Sequence, residues 1–420
     1  MSRIVVQKNG GTSLADADRI RHVADRIARD RRDGADLVVV VSAMGDTTDR
    51  LVELAAAITE EPDPREMDSL LATGEHMSGT LVAMALHALD IDAISLTGPQ
   101  AGIRTDTSHG RARIADIEPG RVRAELGRGR VIIVAGFQGS TDESYEAGEV
   151  TTLGRGGSDT TAVALAARLG ADACEIYTDV EGIFTADPRV VPDALLIPEI
   201  GYEEMLELAH HGATVMQTRA VELGWVNHVT IAVRSTFSDN PGTSISEVSS
   251  MELREKVRGL AVDRKIAKVT LVGVPDRPGI ARSIFEPLAD QNINVDVIVQ
   301  NVGHAGTTDL SFTVEQSDLG RAERLLKLLA TDLNFAEIAT DADVAKISIV
   351  GEGIQNAPGY AGRMFGSLAD AGINISMIST SEIRITCIIE EARLEEAARA
   401  VHQAFRLEVP EAVAEVAAAD

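Results

Sequence analysis

Short apolar runs alternate with Ala-, Leu- and Arg-rich segments of helical period through about residue 240, and no other feature limits the fold as strongly. Residues 4–7, 37–42, 93–97, 131–137, 174–178 and 230–234 read as strands, and 15–32, 46–58, 67–88 and 159–169 as helices. Strands and helices that alternate in this way cover both faces of a sheet, so the expected class is α/β: a largely parallel sheet sandwiched by helices. Ligands of such sheets gather at the C-terminal ends of the strands. The polar stretch 238–247, which holds Asp239-Asn240-Pro241-Gly242-Thr243, reads as the exit from this domain.

An internal repeat follows. Ala267-Lys268-Val269-Thr270-Leu271-Val272-Gly273 matches Ala345-Lys346-Ile347-Ser348-Ile349-Val350-Gly351, and Pro278-Gly279 matches Pro358-Gly359. Leu288-Ala289-Asp290 pairs with Leu368-Ala369-Asp370, and Ile293-Asn294-Val295 with Ile373-Asn374-Ile375. Two copies of one small βαββαβ module are expected, a duplication more typical of paired binding surfaces than of chemistry. The expected division is a catalytic domain over 1–245, a linker over 246–264, and modules over 265–342 and 343–420.

Composition removes several classes of function. A formal charge of −26 argues against binding a phosphate backbone. The apolar runs are far shorter than the roughly 20 residues that span a bilayer, and the N-terminus enters a strand without the basic flank of a secretory signal. A cytoplasmic protein with no nucleic-acid or membrane partner is expected. Cys174 and Cys387 lie in apolar strand-like stretches and read as buried, reduced thiols rather than a disulfide or a metal site. Lys8 is the only lysine before Lys256, which singles it out because a compact ammonium does what a planar guanidinium cannot.

Chemistry is concentrated after the strands. Gln7-Lys8-Asn9-Gly10-Gly11-Thr12-Ser13 joins a lysine to a glycine turn and a helical segment, a pattern suited to phosphate through backbone N–H groups and a mobile charge, or to a plain structural turn. It lacks the spacing of a P-loop. Thr151-Thr152-Leu153-Gly154-Arg155-Gly156-Gly157-Ser158-Asp159 precedes another helix. There Arg155 suits a bidentate grip on a carboxylate, and Ser158 either caps the helix or touches phosphate. Asp159 either complements the helix N-terminus or orients Lys8 and magnesium-bound phosphates. Polar groups from Tyr177 to Arg189 suit a nucleotide base and ribose.

Together with Ser42-Ala43-Met44-Gly45-Asp46-Thr47-Thr48-Asp49 and Gly74-Glu75, these motifs resemble the aspartate kinases of the amino-acid-kinase family along essentially the whole chain. The duplicated tail resembles two ACT modules. The resemblance implies an amino-acid-kinase fold that uses ATP with Mg2+ to phosphorylate the side-chain carboxylate of aspartate. Lys8 and Asp159 would form the catalytic centre, with Gly10, Gly11, Gly156, Gly157 and Ser158 holding phosphate. Ser42, Thr48, Glu75 and Arg155 would bind aspartate, and Tyr177, Thr178, Asp179, Phe184, Asp187 and Arg189 would face the nucleotide. No dedicated protein metal site is implied. Asp276, Asn294, Gln300, Asn374 and Ser381 would hold lysine, threonine or both as effector, where ACT modules of two chains pair in a homo-oligomer.

The chain departs from the family pattern at Asn9, where members carry an aromatic residue, and at Thr214, where Gly212-Ala213-Thr214-Val215 lacks their lysine. Gln217-Thr218-Arg219-Ala220 and His76-Met77 also differ from the usual pattern. Two further readings follow: a paralogue acting on a related acidic amino acid, and a weakly active regulatory subunit. Retention of Lys8, Arg155 and Asp159 disfavours the second.

Overall fold

A computed structural model describes residues 3–141, 148–213, 215–247, 257–301, 306–354 and 358–410. The described residues form two compact units. The first takes 3–183, 196–209 and 215–247, and the second takes 184–195, 210–213 and the residues from 257 onward. The expected catalytic domain 1–245 is therefore interrupted, because two short segments inside it pack with the other unit.

The first unit is built on an eight-stranded sheet in the order Glu199–Gly201, Thr243–Ser246, Ile231–Ser235, Ala173–Thr178, Ile4–Asn9, Asp36–Val41, Val131–Ala135, Ala93–Leu96. All neighbours are parallel except Ile231–Ser235 with Thr243–Ser246. Each of the six strand-like runs in the sequence supplies a strand here. The expected exit segment adds the antiparallel one, since Thr243 and Ile245 are fully buried against it.

Asp36–Val41 reads Asp-Leu-Val-Val-Val-Val, and its last five residues are buried on both faces, as a central parallel strand requires. Helices Ala17–Arg32 and Pro64–His87 cover one face, packing Val23, Ile27, Val82 and Leu86 on Leu37, Val39 and Ile133. Helix Gly157–Leu169 lies on the other face. Asp16 accepts a hydrogen bond from Arg19 N at 2.9 Å, and Asp63 caps the longer helix through Arg65 N and Glu66 N at 3.0 and 3.1 Å. Each cap contributes about 1 kcal/mol. A separate sheet of short strands, Ile114–Ile117, Ile103–Thr105, Gln138–Ser140 and Val150–Thr152, had no distinct sequence pattern.

The second unit contains both repeats. Val295–Gln300, Thr307–Glu315, Ile266–Pro275 and Glu337–Asp341 form one antiparallel sheet, with helices Ile280–Asp290 and Leu319–Leu333. The other sheet runs Gly259–Asp263, Val344–Val350, Arg384–Glu390, Met377–Ser381, with helices Tyr360–Asp370 and Leu394–Ala404. Here the expected boundaries need correction. Gly259–Asp263 falls in the expected linker 246–264, yet it pairs antiparallel with Val344–Val350, Gly259 opposite Val350 and Asp263 opposite Lys346. It thus occupies the place expected for the second repeat's last strand. Leu260 and Ala261 are buried by the pairing, and the cross-strand charges are complementary.

Candidate active site

The period of two along Ile4–Asn9 sends neighbouring side chains to opposite faces of the sheet. Lys8 points toward helix Gly157–Leu169, where its Nζ stands 2.6 Å from Asp159 Oδ1 in a nearly buried ion pair. Gln7 and Asn9 point the other way, into a buried polar cluster. Gln7 donates to Asp30 and Glu175 at 2.7 and 3.0 Å, and Arg26 donates to Asn9 Oδ1 at 2.6 Å.

Beyond the strand, Gly10 N donates to Tyr177 O at 3.1 Å, which anchors the turn to the neighbouring strand. Gly11 passes so close to the next loop that a Cβ there would lie 2.8 Å from Ala43 O. Its N–H has no hydrogen bond to the described residues, so Gly11 rather than Gly10 has a donor to offer a ligand. Ser42 N donates to Asn9 O at 3.1 Å, and Thr48 lies in the first turn of helix Thr47–Ala56. The sheet therefore brings Lys8, Gly10, Gly11, Ser42 and Thr48 together at the C-terminal ends of its central strands.

Gly156 adopts φ +69°, and a Cβ on it would lie 1.6 Å from Gln217 Cγ, so only glycine fits. Arg155 beside it is exposed and makes no hydrogen bond or ion pair with the described residues. Ser158 and Asp159 are buried in the first turn of the following helix, and Ser158 makes no side-chain cap. Phe137, which the sequence did not single out, holds φ +68° and lies against Gly157. A positive φ on an aromatic residue marks strain of the kind found at binding sites, but it leaves no trace in a sequence.

Glu75, on helix Pro64–His87, is 4% exposed. One carboxyl oxygen accepts from Ala43 N at 3.2 Å and the other is buried without a partner. Burial pushes this carboxyl up to about 7, against the opposing pull of the backbone N–H. Two turns earlier, Asp68 accepts from His109 Nδ1 at 2.8 Å, Gly110 N at 3.0 Å and Thr152 Oγ1 at 2.5 Å. His76 instead lines a cavity of about 330 Å3 with Ser69, Thr73, Thr97, Gln138 and Ser140.

The nucleotide set is divided between the units. Thr178 ends strand Ala173–Thr178 in the first unit and Asp179 follows it, the two joined by a 3.2 Å hydrogen bond. Tyr177 is buried, its hydroxyl donating to Glu175 at 3.0 Å beneath Arg26, so only its backbone reaches the glycine turn. Phe184, Asp187 and Arg189 belong to the second unit, where Arg189 Nη2 pairs with Asp187 Oδ2 at 2.7 Å. Thr214 lies outside the described residues.

In the second unit, Asp276, Asn294, Gln300 and Asn374 are exposed, while the Ser381 hydroxyl is buried without a hydrogen bond. Asp276 N donates to Gly306 O at 2.9 Å. Both cysteines are buried free thiols whose ionisation burial opposes. Among the described residues no cluster of three or more His, Cys, Asp or Glu is arranged to cage a metal.

Comparison with known proteins gives a consistent pattern. The amino acid kinase family matches residues 3–233, and ACT domains match 268–330 and 347–405. An aspartokinase of Corynebacterium glutamicum is 50% identical over 408 residues, 96% of each chain. An aspartate kinase of Pseudomonas fluorescens is 49% identical over 411 residues, 97% of this chain and 98% of that one. The crystal structure of E. coli aspartokinase III with aspartate and ADP in the R-state superposes with a TM-score of 0.78 at 27% identity, covering 96% of this chain and 99% of the other. That enzyme with lysine and aspartate in the T-state gives 0.74 at 27% identity, covering 95% and 99%.

Proposed function

Because the chain belongs to the amino acid kinase family, and within it to the aspartate kinases, we propose that it transfers the γ-phosphoryl group of ATP to the side-chain carboxylate of aspartate, giving 4-phospho-aspartate. The observation that carries the reading is the Lys8–Asp159 pair, 2.6 Å apart at the C-terminal end of a central strand, where Gly11 leaves an N–H free. Phosphoryl transfer asks a protein mainly for alignment and charge neutralisation. The Lys8 ammonium can turn from Asp159 to the oxygens of the transferring group, with Gly11 and the start of helix Gly157–Leu169 supplying backbone donors.

Arg155, unpaired and exposed, is free to take one carboxylate of aspartate. Glu75, with one buried oxygen unpartnered, suits the ammonium group, and Ser42 and Thr48 border the same turn. Thr178 and Asp179, at the C-terminal end of strand Ala173–Thr178, suit the sugar and base of ATP. Magnesium bound with ATP would neutralise charge between the phosphates. It is held by one or two carboxylates plus phosphates in such sites rather than by a protein cage, and Asp159, a carboxylate held beside Lys8 at the start of helix Gly157–Leu169, fits that role.

In this reading the reaction opens synthesis of lysine-, threonine- and methionine-type amino acids in the cytoplasm. Lysine, threonine or both act as feedback effectors on ACT modules that pair in a homo-oligomer. The lysine-bound structure of the E. coli relative supports a lysine effector, and no described helix is long and apolar enough to cross a membrane. ATP-dependent hydroxamate formation with aspartate, glutamate and related acids tests the acceptor, since hydroxylamine traps acyl phosphates. Aspartate should be preferred; stronger reaction with another acid would refute the assignment.

A further inference from the structure

Arg155 can grip a carboxylate only if the loop that carries it is held still, and no partner of its own holds it. Two other charged side chains, distant in sequence, immobilise its surroundings. Arg219, at the start of helix Thr218–Val226, donates through Nη1 to Leu153 O at 2.7 Å and through Nη2 to Ala112 O at 3.0 Å. One guanidinium thus ties the segment entering the Arg155 loop to the loop around residues 106–113. Ala112 N adds a bond to Thr152 O at 2.9 Å.

Asp68 joins the same two segments through the opposite chemistry. It is 1% exposed. Its Oδ1 accepts from Gly110 N at 3.0 Å and Thr152 Oγ1 at 2.5 Å, while Oδ2 accepts from His109 Nδ1 at 2.8 Å. An acid therefore collects donors and a base collects carbonyls from the same pair of segments. Taking the Asp68 carboxylate out of water is costly, as is half-burying the Arg219 guanidinium against two carbonyls, and apolar filling often serves packing as well or better. The arrangement makes physical sense where loop geometry must be kept to a fraction of an ångström. Asp68 also lies seven residues before Glu75 on one face of helix Pro64–His87. The helix that presents Glu75 therefore also anchors the strand leading to Arg155.

We infer that Asp68 and Arg219 are positioning residues that hold Arg155 in its substrate-gripping geometry and so set affinity for the acceptor carboxylate. The inference rests on the proposed role of Arg155 toward aspartate. Misplacement by about 1 Å costs up to about 100-fold, so Arg219→Gln and Asp68→Asn should each raise KM for aspartate about 10- to 100-fold while KM for ATP stays within about twofold. Arg219→Lys, which can reach one carbonyl but not both, should fall between wild type and Arg219→Gln.

The decisive comparison is non-additivity. If the clamp acts through Arg155, adding Arg219→Gln to Arg155→Ala should worsen KM for aspartate little further. Multiplied losses would overturn the inference, as would single clamp variants that lose stability without altering KM for aspartate. An unchanged KM in Arg155→Ala alone would sink the role of Arg155 itself, and the clamp with it. A second readout is independent of activity. Cys174 and Cys387 are buried, so a nitroxide on Arg155→Cys reports one site, and Arg219→Lys or Arg219→Gln should raise its mobility in the full chain. An unchanged spectrum in both variants would refute the clamp, even if Asp68→Asn fails to fold.

Discussion

Arg26 lies face-on over Tyr177, its guanidinium carbon 3.4 Å from the ring centroid, while its Nη2 donates to Asn9. Burial lowers the pKa of this guanidinium, and Tyr177, Asp30 and Glu175 pull it back up. The departure from the family pattern at Asn9 thus has a built partner one helix away. Asn9→Phe should overpack this fully buried position and strip Arg26 of its acceptor. A loss of about 2–4 kcal/mol is expected in denaturant unfolding, partly recovered by Arg26→Leu in the same chain. Full stability in Asn9→Phe alone would show that the pair is not coupled.

Glu75 should give the protein a titration near neutrality. Its folded-state value of about 7 lies above the ordinary 4.5, so the folded chain binds the extra proton. Its contribution is therefore intact below about pH 4.5, declines as pH rises from 4.5 to 7, and is constant above. The decline amounts to about 3 kcal/mol. Glu75→Gln should flatten that part of the stability profile. Aspartate binding near pH 7 should also release a proton as the ammonium arrives, visible as a dependence of calorimetric heat on buffer ionisation enthalpy. Equal heats in all buffers would argue against an ammonium beside Glu75.

Lys8→Arg keeps the charge but replaces a compact mobile ammonium with a planar fork that cannot enter the same space beside Asp159. Turnover should fall about 100-fold or more, with circular dichroism close to wild type and a somewhat lower unfolding midpoint, since Asp159 loses its close partner. Substantial activity in the folded variant would remove Lys8 from the mechanism.

Lys346 is 3% exposed in the second repeat, and its Nζ meets Asp296 of the first repeat at 2.7 Å and Asp263 at 3.8 Å. Burial alone would raise the Asp296 carboxyl, but the ammonium reverses this and holds it below the usual range. Asp296→Ala should destabilise the second unit by about 3 kcal/mol, because it leaves the buried ammonium only Asp263 at 3.8 Å, whereas Asp296→Ala combined with Lys346→Met, which removes both charges, should be nearly neutral. Calorimetric unfolding of both variants checks the asymmetry, and equal losses would contradict it.

For the effector, titration calorimetry with lysine and threonine, singly and together, should show saturable binding that Asp276→Ala weakens about tenfold or more, with a matching shift in inhibition. If neither amino acid binds nor changes the rate, the repeats are a structural pairing module.

The sequence by itself determined the class of the catalytic unit, because six strand-like runs and the helices between them carry their periodicity locally, and every one of those runs entered the main sheet. It also determined the duplication and the two glycine turns, whose residue types are legible wherever they sit. Three-residue strands such as Gln138–Ser140 and Val150–Thr152 escaped, since so short a run has no period. Only the tertiary structure decided that Gly259–Asp263 completes the second repeat: a strand's partner is chosen by whichever exposed edge it meets. The same holds for the site. Asp68, His109, Thr152 and Arg219 are ordinary polar residues in the chain and become a constellation only where four segments converge. The direction of Tyr177, turned under Arg26 rather than toward the glycine turn, was likewise set by which side chain found a buried partner.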